Sequence, residues 1–344
     1  MSFSISSSSR DGLSLWTLKD EKTGAEVSIL PEYGALLHTF RVPVNGELFN
    51  VIDGYKDLPE LQKELITSFK GPKLSPFPCR IADSRYLFEG KEYSFADASI
   101  PDDSAVGGLA VDDSAAAGST GKAALHGLLY DKSFNVNIDD DADDDHATLS
   151  LEYYYEHENP AYPHKYLCVV DYTLRRNNLL TVSTTITNLG STIMPLADGW
   201  HPYFRLGGSV NDWVMQFNAD TVLEFNERLI PTGTLLPYTV FRTPNPIGDL
   251  PLDNCFVLEP DWQRLSDGKI AACRIENPVN GLSISFFPDS SYPYLQLYIP
   301  PARTSIAVEN LSGAPDCFNN EMGLLRLKPV DSQTFTVNYK VSVG

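Results

Sequence analysis

A two-residue alternation of apolar and polar side chains, broken at short intervals by turn residues, governs most of this 344-residue chain. Thr148-Leu-Ser-Leu-Glu-Tyr-Tyr-Tyr155, Tyr166-Leu-Cys-Val-Val-Asp-Tyr-Thr-Leu174 and Leu179-Leu-Thr-Val-Ser-Thr-Thr-Ile-Thr187 follow one another in this pattern, the last two joined by Arg175-Arg-Asn-Asn178. Successive side chains of an extended strand point to opposite faces, so each run buries one face and wets the other. Similar runs cover Ala25–Leu30, Leu36–Val42, Leu252–Leu258, Gly281–Phe287, Tyr294–Ile299 and Phe335–Val343. Tyr86-Leu-Phe-Glu-Gly-Lys-Glu-Tyr93 reads as a hairpin with Glu89-Gly90 at its turn.

Helical signal is scarce. Asp57-Leu-Pro-Glu-Leu-Gln-Lys-Glu-Leu65 predicts one short helix, with Pro59 near its start, where a missing N–H does little harm. Gly71-Pro-Lys-Leu-Ser-Pro-Phe-Pro-Cys-Arg-Ile81 carries three prolines and predicts a rigid loop presenting Arg80. Pro231-Thr-Gly233 and Thr243-Pro-Asn-Pro246 read as a turn-rich crossing. Strands without linkers or repeats predict an all-β protein: one large antiparallel β-sandwich over residues 1–344, with a flexible insertion at 97–121.

Composition narrows the partners. Lys and Arg total 26 against 45 Asp and Glu, a formal charge of -19, which disfavours nucleic acid and anionic lipid and favours a neutral small molecule. The cysteines Cys79, Cys168, Cys255, Cys273 and Cys317 lack the close spacing of a redox pair or zinc site, so reduced thiols and no metal are expected. The aspartate run Asp139–Asp145 lacks the spaced ligands and terminal glutamate of a calcium loop and reads as a solvated hairpin tip. The N-terminus has neither the basic start nor the apolar core of a signal peptide, which predicts a cytoplasmic protein.

Chemistry concentrates at a few positions. In Asp198-Gly-Trp-His-Pro-Tyr-Phe-Arg-Leu206, Pro202 has no N–H for a ladder and biases His201 toward an extended backbone. His201 is then either a core histidine or a strand-end histidine turned into a cleft, with Trp200, Tyr203 and Phe204 as its apolar wall. His126 in Ala123-Ala-Leu-His-Gly-Leu-Leu129 has the same look, and Ser305-Ile-Ala-Val-Glu-Asn310 ends an apolar strand on Glu309. Arg80, Asp253 and Gln296 are candidate orienters. His38, His157 and His164 have no evident partner and read as structural or solvent-facing. A carboxylate and two imidazoles can take one proton and deliver another without a metal or cofactor, as opening a sugar hemiacetal requires.

The chain resembles the aldose 1-epimerases (galactose mutarotases). The resemblance rests on Pro78-Cys-Arg-Ile81, the Tyr86–Tyr93 block, Leu125-His-Gly127, Tyr162-Pro163, Tyr172-Thr-Leu174, Gly199-Trp-His-Pro-Tyr-Phe204, Leu252-Asp253, Ile306-Ala-Val-Glu309 and Pro315-Asp-Cys-Phe-Asn319, in the family's order. It implies a β-supersandwich and interconversion of the α and β anomers of a free hexose without a cofactor. By the same resemblance Glu309 is the general base at the anomeric O1 hydroxyl, His201 the general acid at ring O5, and His126 a second contact to O5. Arg80, Asp253 and Gln296 match positions that bind sugar hydroxyls or support the histidines. Cys79, Asn310 and the approach Leu196-Ala-Asp-Gly199 depart from the family pattern, so the resemblance implies a reaction rather than a particular sugar.

Two alternatives remain at this level. A hexose-6-phosphate 1-epimerase would hold its phosphate with basic residues among Lys73, Arg80, Arg85, Lys132 and Arg205. A sugar-binding protein would keep the sandwich without catalysis. The oligomeric state is open.

Overall fold

Alternation in the sequence becomes three large antiparallel sheets and three two-stranded ones in the computed structural model, which describes residues 1–95, 123–260 and 271–344. The insertion expected at 97–121 lies outside the described residues. An N-terminal meander pairs Phe3–Arg10, Leu13–Asp20, Glu26–Leu30, Leu36–Val44 and Glu47–Asn50 in sequence order. A nine-stranded sheet runs in the order Asn135–Ala142, His146–Glu156, Lys165–Arg175, Leu179–Asn188, Ser332–Val343, Leu282–Pro288, Cys273–Asn277, Val214–Phe217 and Asn245–Pro246. An eight-stranded sheet runs Pro231–Pro237, Ala219–Phe225, Asp253–Leu258, Tyr294–Tyr298, Ile306–Leu311, Gly199–Trp200 and Lys73–Leu74, with Tyr203–Phe204 also paired to Ile306–Leu311.

The core lies between the two large sheets. Leu180, Val182 and Ile186 are buried on one face of their strand, and each such side chain contributes about 1.5–3 kcal/mol relative to exposure. On the other face Ser183, Thr185 and Thr187 meet Thr336, Thr334 and Ser332 as hydroxyl pairs, the sheet's own way of satisfying polar groups. Rings interlock across the gap: Phe204 packs edge-on against Phe286 at 4.9 Å, and Phe217 lies 4.6 Å from Phe256. Face-to-face packing of this kind is a sandwich, as the alternation predicts.

The short helix is Leu58–Ser68. Asp57 caps it by accepting from the Glu60 N–H at 2.9 Å, and Leu61 and Leu65 are its buried residues. The predicted hairpin pairs Arg85–Phe88 with Lys91–Ser94. The stretch read as a turn-rich crossing is different: Pro231–Pro237 is a strand. It is the sheet's edge, where only one side needs donors, and its prolines pair at Phe225 and Thr221. Cys79, Cys168, Cys255, Cys273 and Cys317 are all buried free thiols. Among the described residues no helix is long and apolar enough to cross a membrane.

Candidate active site

The strand Ile306–Leu311 sits in the interior of the eight-stranded sheet, and ladder register decides what surrounds Glu309. On one side Gln296 is its direct partner. On the other, Gly199 pairs with Leu311 and Tyr203 with Ala307, so the register places His201 directly opposite Glu309. Pro202 interrupts the ladder there; its carbonyl accepts from the Val308 N–H, while the His201 carbonyl accepts from Gly71. The sequence reading put Glu309 at a strand end, and the structure corrects this. Glu309 lies within a strand, and the strand broken beside it is the neighbour carrying His201.

Period-two geometry then sorts the aromatics. His201 and Tyr203 share one face, their rings stacked with centroids 5.0 Å apart. Trp200 and Phe204 take the other face, Trp200 against Tyr172 and Phe204 against Phe286 and Tyr339. Of the three rings expected to wall the cleft, only Tyr203 lines it.

His126 arrives from another ladder. Leu125 pairs with Arg80 and Ala124 with Ile81, so the next residue meets Cys79. The His126 N–H donates to the Cys79 carbonyl at 2.8 Å, and the Cys79 N–H donates to His126 Nδ1 at 3.2 Å. Accepting that bond leaves Nδ1 without a proton, so the neutral ring carries its proton on Nε2. His126 is held at φ 59 and its ring sits 4.6 Å from Phe69 and 5.1 Å from His201.

All six residues singled out from the sequence, Arg80, His126, His201, Asp253, Gln296 and Glu309, line one cavity of about 350 Å³. His201 Nε2 lies 3.4 Å from Glu309 Oε1, and Gln296 Nε2 donates to Asp253 Oδ1 at 2.8 Å. Among the described residues Glu309 Oε2, Gln296 Oε1 and His201 Nδ1 have no hydrogen-bond partner although all three are buried. Unpaired buried polar atoms are costly, and three at one cavity wall suit a ligand rich in hydroxyls, which both donate and accept.

Burial dominates the electrostatics. It pushes the Glu309 carboxyl well above the usual range, aided by the nearby Asp253 charge and opposed by Arg80. It raises Asp253 as well, again with Arg80 opposing. It lowers His201 to about 3 and His126 well below the ordinary histidine value, so both rings are held neutral. The pair Glu309–His201 therefore favours its uncharged arrangement, one proton shared over two sites.

Sequence reasoning did not single out Asp53, Phe69, Lys70, Tyr298 or Thr304, which also line the cavity. They come from loops and strand ends with no motif to mark them. Of the basic residues considered for a phosphate, only Arg80 lines it. Lys73 is fully buried against Asp198, Lys132 pairs with Glu158 at 2.9 Å, Arg85 lies beside Glu92, and the Arg205 Nε donates to the Asn50 carbonyl.

Comparison with known proteins agrees with this frame. Residues 14–340 match the aldose 1-epimerase family model. The protein YihR of Escherichia coli is 26% identical over 275 residues, 79% of each chain. A galactose mutarotase-like protein from Clostridium acetobutylicum superposes with a TM-score of 0.79 at 16% identity, covering 100% of this chain and 99% of the other. Galactose 1-epimerase from Lactobacillus acidophilus superposes with a TM-score of 0.74 at 19% identity and 99% coverage of both chains. With a family model spanning nearly its whole length and the same fold in these structures, the chain belongs to the aldose 1-epimerase family.

Proposed function

We propose that this cavity interconverts the α and β anomers of a free aldose. The observation that carries the reading is the register that sets His201 across from Glu309, with the His126 ring against His201 in the same cavity. Glu309 takes the proton of the anomeric O1 hydroxyl while His201 gives one to ring O5, the C1–O5 bond breaks, and the open aldehyde forms. Rotation about C1–C2 presents the other carbonyl face, and the same transfers reversed close the ring to the other anomer. His126, with Nε2–H directed by its Cys79 bond, donates to O5 and steadies it. Arg80, Asp253 and Gln296 hold the remaining hydroxyls.

The proton inventory closes with side chains alone. Opening starts from the less favoured form of the one-proton pair, Glu309 carboxylate and His201 imidazolium, moves one proton from imidazolium to carboxyl by way of the sugar, and leaves the pair uncharged, the arrangement that burial favours. An unphosphorylated substrate is preferred, because Arg80 is the single member of the proposed phosphate set at the cavity and Lys70, which also lines it, is paired with Asp53 at 3.5 Å. Five buried free thiols support a reducing compartment, the cytoplasm.

Polarimetry on glucose, galactose and their 6-phosphates tests the reading. Acceleration of the free sugars is expected, and Glu309→Gln should lower it by about 10²–10⁴-fold, the range typical of a lost general base. Full activity in Glu309→Gln removes Glu309 from the mechanism. Calorimetric sugar binding with no rate effect replaces the enzyme by a sugar-binding protein.

A further inference from the structure

A second cavity, of about 640 Å³, opens over the N-terminal sheet and shares Asp53 and Lys70 with the cavity around Glu309. Its floor is polar by register. Ser6 pairs with Thr17, Thr17 with Ser28 and Ser28 with Thr39, which lays a row of four hydroxyls across four strands, all lining the cavity. Thr17 and Ser28 share a hydrogen bond at 2.9 Å. Thr39 Oγ1 and His38 Nδ1, on residues only 5% and 8% exposed, have no partner among the described residues. His38 is the extra residue where the ladder shifts between Ser28 and Ile29, which brings its ring to the cavity wall. Burial lowers the His38 ring to about 4, so it stays neutral, with one donor and one acceptor nitrogen.

Most charges of the lining are already matched. Arg41 holds Glu26 at 2.7 Å, Lys70 holds Asp53 at 3.5 Å and Arg10 holds Asp11 at 3.3 Å, while Lys19 and Lys56 pair with Glu21 at 2.7 Å and Asp57 at 3.7 Å beside the lining, and the Arg205 Nε donates to the Asn50 carbonyl. An anion would have to compete with these carboxylates, whereas a neutral polyol can donate to the acids and accept from the bases without breaking a pair. The volume lies within the usual range of about 300–1,000 Å³ for small-molecule sites.

We infer that this cavity is a second saccharide-binding site, which takes the sugar units beyond the reacting ring when a reducing di- or oligosaccharide places its anomeric end beside Glu309. The ion pair Asp53–Lys70 lines both sites, and Ser305 Oγ, from the first cavity's lining, donates to Asp53 Oδ2 at 2.7 Å. This rests on the anomer-exchange reading for the first cavity and extends it to a substrate class.

Ser8 is exposed and lines the second cavity, while its neighbour Ser7 is exposed and does not. Ser8→Trp fills the cavity, Ser7→Trp is its control, and Thr17→Val deletes one floor hydroxyl without adding bulk. Polarimetric kcat/KM is measured for maltose, cellobiose and glucose. The wild-type protein turns over at least one disaccharide, and Ser8→Trp lowers that kcat/KM about tenfold, or about 1.4 kcal/mol, through KM. Glucose is unchanged in every variant, and Thr17→Val raises the disaccharide KM in the same selective manner. Turnover of glucose with no turnover of either disaccharide, or equal disaccharide kinetics in wild type, Ser8→Trp and Thr17→Val, overturns the second site and leaves the reaction standing. Absence of any acceleration, glucose included, defeats the reaction instead. Calorimetry with maltose and cellobiose on wild type and Ser8→Trp then decides the second site alone: binding lost in Ser8→Trp upholds it, and no binding to the wild type overturns it.

Discussion

Lys73→Met is expected to destabilise the protein by an amount that depends on pH. Lys73 is fully buried; its Nζ donates to Asp198 Oδ2 at 2.5 Å and to the Gly199 carbonyl at 3.2 Å, and lies 4.3 Å from the Trp200 ring centre. Tyr292 donates to the same Asp198 oxygen at 2.7 Å. Burial raises Asp198 and lowers Lys73. With the ammonium gone, the cheapest state of Asp198 is the neutral acid. The folded variant then carries a proton that the unfolded chain releases above its carboxyl value of about 3.9. Because the unfolded state binds fewer protons, stability falls as pH rises from that value toward the raised folded value, by about 1.4 kcal/mol per unit. The loss is about 1.5 kcal/mol at about pH 5 and about 4 kcal/mol at about pH 7, the latter within the range of about 3–5 kcal/mol for a broken buried pair. The intact pair holds one proton whether charged or neutral, the same as in the unfolded chain, so the wild type shows no such slope from this site. Urea unfolding at the two pH values measures the difference, and Lys73→Met with Asp198→Asn should erase the slope. A loss equal at both values, or below about 1 kcal/mol at pH 7, would refute the reasoning.

Two further outcomes follow from the site. If the active form is the Glu309–His201 pair with one proton, kcat/KM falls when a second proton is added, through the His201 value of about 3, and when the last is removed, through the raised Glu309 value. The acidic limb should therefore lie near about 3, and an acidic limb centred at about 6.5 would mean that His201 titrates as an ordinary histidine. Gly127 has φ +78, and an added Cβ would lie 2.4 Å from the Ser75 carbonyl oxygen, next to His126. Gly127→Ala should cost more than the ~1–2 kcal/mol of a left-handed residue and lower kcat as His126 shifts; an unchanged melting temperature would count against it.

Much of the fold is legible in the sequence because strand structure is written locally. Alternation marks each strand, Glu89-Gly90 the hairpin, and Asp57 with Pro59 the helix start, all decided by residues within a turn of each other. The same locality explains the misreading of Pro231–Pro237, whose prolines look like breakers until the strand is known to lie at an edge. The site is legible in kind. Histidines beside proline and glycine, and a glutamate in an apolar run, are the residue types that hemiacetal opening needs, and the family resemblance orders them.

What the chain determined alone is therefore the alphabet of strands and the chemistry of six side chains. Tertiary structure decided their use: that His201 faces Glu309 across 108 positions, that Trp200 and Phe204 turn to the core while Tyr203 turns to the cavity, and that Lys73 is a buried clamp rather than a ligand for phosphate. It also decided that a row of N-terminal hydroxyls opens beside the same cavity. The physical reason is register. A side chain's face depends on parity along its own strand, but its neighbour depends on which distant strand pairs with it, and a slip of one residue would turn Glu309 away from His201 altogether.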